Sequence, residues 1–151
     1  MNDKHFLQIA ISKAGESVSL GGFPAGAILV KDGQIIGEGV SVGNKLNDPT
    51  SHGEMVSIRE ACKKLKTTEL SGSVLYSSMQ PCLMCLGASM WGSVSKIIYA
   101  CSKEKVDVGY YGGEYLASEI NSKLIRPIEL IHFAELEEES LKIVRGWEKT
   151  L

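Results

Sequence analysis

Two short motifs constrain this chain more than any other feature: His52-Gly53-Glu54 and Pro81-Cys82-Leu83-Met84-Cys85. Met55, Ile58, Cys62 and Leu65 trace one face of a helix over residues 52–66, so the first motif opens that helix. Residues 73–79, SVLYSSM, read as a strand, which Pro81 ends before starting a helix through about residue 92. A fold that unites the two motifs must bring the starts of two helices to one place, with a strand between them in the chain.

The rest of the chain supplies a sheet. Phe6, Leu7, Ala10, Ile11, Ala14 and Val18 recur at helical spacing, which predicts a helix over residues 3–19. AGAILVKDGQIIGEGV is two apolar runs joined by Asp32-Gly33, a hairpin signal that makes strands 25–31 and 34–40 antiparallel neighbours. SVGNKLNDPTS, from Ser41 to Ser51, has the composition of a loop. Residues 96–102 and 127–133 read as strands, GGEYLASEI as a short helix, and 137–149 as a C-terminal helix. The order α-ββ-α-β-α-β-α-β-α predicts an α/β fold in which helices cover a central sheet. A helix between the last two strands favours a parallel, right-handed crossover.

Composition excludes several classes. At 151 residues, 44% hydrophobic and 23% charged, the chain suits a single folded domain over residues 1–151. A net charge of -2 and a pI near 5.9 give no electrostatic reason for tight nucleic-acid binding. No signal peptide or membrane span is legible, so a cytoplasmic setting with reduced thiols is expected, and the four cysteines are not a disulfide framework.

Cys82 and Cys85, three apart at a helix start, project to one side, where the helix N-terminus favours the thiolate that binds metal. His52 adds an imidazole from the start of the second helix. A catalytic zinc needs three such ligands and one open position for water. Glu54, two residues after His52, is placed to move a proton, and the combination is a signature of zinc nucleobase deaminases. Plainer readings remain open: a redox Cys pair, a structural zinc with Cys62, Cys101 or His132 as fourth ligand, and Glu54 as an ordinary first-turn carboxylate. Cys62 and Cys101 occupy apolar positions that suit core packing.

At GGFPAGAILVKDGQIIGEG, NDPTSHGEM, SIREAC and LYSSMQPCLMCLGA the chain resembles the cytidine-deaminase superfamily, in the branch of guanine, cytosine and tRNA adenosine deaminases. The resemblance implies a three-layer α/β/α cytidine-deaminase-like fold with a five-stranded mixed sheet. It also implies Zn2+ on His52, Cys82 and Cys85, Glu54 as proton shuttle, and a homodimer. Two departures bear on substrate. The branch's base-binding Asn is replaced by Ser41, with Asn44 a candidate substitute, and Gln80 stands where Glu is usual before Pro-Cys. A neutral amide can donate as well as accept, which suits a different base edge.

Backbone N–H groups of Gly53 and Cys82 are candidate donors to substrate, and Phe23, Tyr110, Tyr111 and Trp147 candidate pocket walls. Trp91 fits core or dimer packing better. The expected activity is hydrolytic deamination of a free nucleobase or related small heterocycle, guanine and cytosine first. A tRNA-specific adenosine deaminase is the alternative, and a non-enzymatic zinc-stabilised fold a third class.

Overall fold

Apolar residues run almost unbroken through residues 25–30, and the computed structural model, which describes residues 2–151, accounts for this by burying both sheet faces. Strand β1 (Phe23–Lys31) turns at Asp32-Gly33 into β2 (Gln34–Ser41). Both turn residues have positive φ, 51° and 75°, as a two-residue hairpin of this twist demands. β3 (Val74–Met79), β4 (Lys96–Cys101) and β5 (Glu129–His132) complete a sheet of order β2-β1-β3-β4-β5. β1 is antiparallel to β2 and β3, whereas β3, β4 and β5 are mutually parallel. The mixed sheet and its parallel last pair are as the sequence predicts.

The helices form two layers. α1 (Asp3–Ser19) and α6 (Glu137–Glu148) cover one face, where Leu7, Ala10 and Ile11 meet Ile28, Val30, Tyr76 and Ile98. α3 (Gly53–Leu65), α4 (Leu83–Trp91) and α5 (Ala117–Ser122) cover the other, where Ile58, Ala61, Leu86 and Ala117 meet Ala27, Leu29, Leu75 and Ile97. Alternate residues of β1 therefore enter different cores, the two-residue period of a strand. The three-layer arrangement follows from that alternation.

Three local expectations are corrected. The stretch from Ser41 to Ser51 is not all loop: Ser41 ends β2 and is buried, and α2 (Gly43–Leu46) forms one turn after it. The helix expected over residues 112–120 begins only at Ala117, because Gly112 and Gly113 adopt positive φ that a right-handed helix cannot contain. Trp91 is 80% exposed, so it is no part of the core.

Candidate metal and proton-transfer site

His52 and Cys82 occupy the same structural position, each the extended residue immediately before a helix, α3 and α4 respectively. Cys85 lies in the first turn of α4. His52 Nδ1 is 3.6 Å from Cys82 Sγ and 3.6 Å from Cys85 Sγ. Zn–N of about 2.0 Å and Zn–S of about 2.3 Å at tetrahedral angles require an N···S separation of about 3.5 Å, close to both distances. The three donors thus fit zinc as they stand. Among the described residues they are the one group of three or more His, Cys, Asp or Glu whose ligand atoms converge, all within 4.8 Å of one another. Cys62 packs against one core and Cys101 is buried in another, while His132 lies against Ala100 O and Glu137 Oε2. Among the described residues no fourth protein ligand joins the triangle.

The electrostatics suit metal capture. A hydrogen bond from Cys85 and the neighbouring His52 pull the Cys82 thiol down to about 4, which favours the thiolate that binds metal. Cys85 moves far the other way, because of its hydrogen bond to Cys82 and its burial. Glu54, in the first turn of α3, is only 6% exposed, and burial, with Cys82 nearby, pushes its carboxyl up to about 7. A carboxyl so poised can both accept and release a proton near neutral pH.

A cavity of about 520 Å³ opens beside His52, Glu54 and Cys82. Of the residues expected to contact substrate, Ser41, Asn44, Gln80, Tyr110, Tyr111 and Trp147 line it, and Gly53 does not. The Gly53 N–H is donated to Ser41 Oγ at 2.9 Å and so is not offered to a ligand. The Cys82 N–H, by contrast, has no acceptor among the described residues. Phe23, Tyr110 and Trp147 pack edge-to-face with ring centroids 5.1–6.0 Å apart, which ties β1, the 108–111 turn and α6 together at the rim.

Some residues that shape the site have no sequence signature. The Lys103 N–H donates to Gln80 Oε1, the Tyr111 hydroxyl donates to Gln80 O, and the Leu83 N–H donates to the Tyr115 hydroxyl. Segment 102–116 thereby clasps the entry to α4 through long-range contacts that no local pattern signals. Asp48 and Ser51 also line the cavity, and only their turn chemistry singles them out in the sequence.

The fold and the donor triangle define a zinc-type hydrolytic centre, and the similarity to known proteins gives its class. Residues 1–101 match the cytidine and deoxycytidylate deaminase zinc-binding region, and the chain belongs to that family. It is 40% identical over 122 residues to a guanine deaminase of Bacillus subtilis, covering 80% of this chain and 78% of the relative. It is 38% identical over 105 residues to a tRNA-specific adenosine deaminase of Aquifex aeolicus, covering 70% of each. Its fold superposes on a solved tRNA:A34 deaminase with a TM-score of 0.79 at 28% identity, covering 93% of this chain and 99% of that one. The cytidine-deaminase-like fold and the zinc-type deaminase class stand on these likenesses together.

Proposed function

We propose that the protein is a zinc-dependent hydrolytic deaminase of a free nucleobase or a closely related small heterocycle, with guanine and cytosine the first substrates to try. The observation that carries this reading is one cavity lined by His52 and Cys82 of the donor triangle and by the buried Glu54. Zinc held there supplies Lewis acidity, lowering the pKa of a bound water to about 7. Glu54 would take one proton from that water and hand it to a ring nitrogen of the substrate, which makes the amine-bearing carbon electrophilic toward the hydroxide left behind. As the new C–O bond forms, Glu54 would carry the added hydroxyl's remaining proton to the amine, so the C–N bond breaks, ammonia leaves and a carbonyl remains. The free Cys82 N–H is a donor for substrate at the mouth of α4. Phe23, Tyr110, Tyr111 and Trp147 give a flat ring apolar walls.

The second reading, adenosine deamination in tRNA, is favoured by one specific observation: relatives of the two activities match at 40% and 38% identity. The absence of any net basic charge favours the free base. We also place the protein as a homodimer in a reducing, cytoplasmic setting. Trp91, 80% exposed, and Leu83, 50% exposed, give α4 an apolar surface for a second copy, and all four cysteines are free.

The experiment combines metal content with turnover. Glu54→Gln retains about one zinc per chain and loses nearly all ammonia release, because an amide cannot shuttle the proton. Cys82→Ala and Cys85→Ala lose most of the zinc, whereas Cys62→Ala and Cys101→Ala keep it. Turnover by Glu54→Gln within tenfold of wild type would remove Glu54 from the mechanism, and full zinc in both cysteine variants would reject the ligand set.

A further inference from the structure

Three polar side chains in the cavity each have one end already committed to the protein. Ser41 Oγ accepts the Gly53 N–H at 2.9 Å. That turns the hydroxyl proton away from Gly53, and it has no acceptor among the described residues. Asn44 Nδ2 donates to Gly21 O at 2.9 Å, and the partner fixes the amide's orientation because a carbonyl can only accept. On this exposed side chain Oδ1 is left without a partner among the described residues, and so is the second Nδ2 hydrogen. Gln80 Oε1 accepts the Lys103 N–H at 2.9 Å, which leaves the Gln80 amide NH2. All three residues line the cavity with His52, Glu54 and Cys82.

We propose that Ser41, Asn44 and Gln80 select the substrate through the ends the fold leaves unpaired: the hydroxyl donor of Ser41, the acceptor Oδ1 of Asn44 and the amide donor of Gln80. The matching ligand carries a ring N–H and a ring carbonyl besides the amine to be displaced, which is a free amino-lactam base. This rests on the deaminase reading and narrows it. Guanine and cytosine as free bases meet the pattern, each with ring N–H and carbonyl groups. Adenosine does not, since its ring nitrogens are acceptors, it has no carbonyl, and its glycosidic bond removes the remaining ring N–H. Asn44 Oδ1 would then lose water without gaining a partner, and unpaired polar groups are where hydrogen-bonding sites discriminate most. The same argument disfavours cytidine against cytosine.

The test measures binding apart from turnover, with zinc-loaded Glu54→Gln protein titrated calorimetrically with cytosine and with adenosine. Cytosine should bind at least about tenfold more tightly than adenosine. Adding Asn44→Ala should weaken cytosine about tenfold while shifting adenosine less than about twofold. Adding Gln80→Glu, whose carboxylate still accepts the Lys103 N–H but cannot donate, should likewise weaken cytosine about tenfold. Equal affinity for the two ligands, no binding of cytosine, or variants that weaken both alike would overturn the proposal. Ammonia release by the wild-type holoenzyme reads the parent assignment separately. Selective binding without ammonia from either lactam base would sink the deaminase reading and sustain the polarity pattern. Ammonia from adenosine-bearing RNA alone would keep a deaminase but overturn the free-base reading and the polarity pattern together.

Discussion

Glu54 sits 6% exposed beside two sulfurs, and the same burial that readies it for proton transfer makes its charge costly. That cost is measurable in metal-free protein. A carboxyl whose folded pKa is about 7, against about 4.3 unfolded, adds stability that is full below pH ~4.3 and lost as pH rises through ~7. Cys82, depressed to about 4, acts in the opposite sense, adding stability as pH rises above that value. The two oppose each other in the wild type, so the informative quantity is a difference. After chelation, the melting temperature of Glu54→Gln relative to wild type should climb between about pH 4.5 and 7.5. A difference that stays flat across that window would put the Glu54 carboxyl in contact with water. The triad and Glu54 were legible in the sequence because His-x-Glu and Cys-x-x-Cys are local patterns whose chemistry is specific. Ser41 was singled out only by the resemblance, and its place in a stretch of loop composition hid a buried strand end whose hydroxyl holds the first N–H of α3.

At the scale of elements, the site depends on how closely α3 lies against the hairpin. A Cβ added at Gly39 would sit 2.3 Å from Gly53 O and 2.7 Å from Val56 Cβ, closer than atoms can pack. One added at Gly53 would sit 3.0 Å from Gly39 O and 3.1 Å from Gly26 Cα. Glycines on both sides let the start of α3, with His52 and Glu54, settle directly on β1 and β2. Gly39→Ala must therefore lift that helix start, at a cost of about 1–3 kcal/mol for overpacking. Zinc affinity, read by competition with a chromogenic chelator, should fall along with thermal stability. An unchanged affinity would mean that the contact positions nothing in the metal site. The hairpin, α1 and the parallel last strands were readable from periodicity and turn residues. The short α2, the late start of α5 and the clasp of segment 102–116 on Gln80 and Leu83 were not, because they depend on glycine conformations and on contacts between residues far apart in the chain.

For the whole molecule, the question is whether its charge permits an RNA substrate. Glu135, Glu137, Glu138 and Glu139, just before and at the start of α6, form an acidic cluster, but three of the four are paired. Glu135 meets Lys4, Glu137 meets His132 and the Ser102 N–H, and Glu138 meets Arg145. They also lie about 16 Å along the helix from Glu148, at 1.5 Å per residue. Two other carboxylates lie nearer the site: Asp48 lines the cavity itself, and Glu148 is hydrogen-bonded to the Tyr110 hydroxyl beside Trp147. An RNA-acting enzyme must grip phosphates, and its affinity falls steeply as salt displaces those contacts. Here 16 basic residues face 18 acidic ones, and the Asp48 carboxylate lines the cavity. A neutral base feels neither. Turnover of a free base should therefore change less than about twofold between 50 and 200 mM salt, whereas activity resting on six or more phosphate contacts would fall on the order of a thousandfold. Ammonia release from a tRNA anticodon stem-loop, collapsing over that salt range and with no free base deaminated, would give the protein to anticodon editing instead.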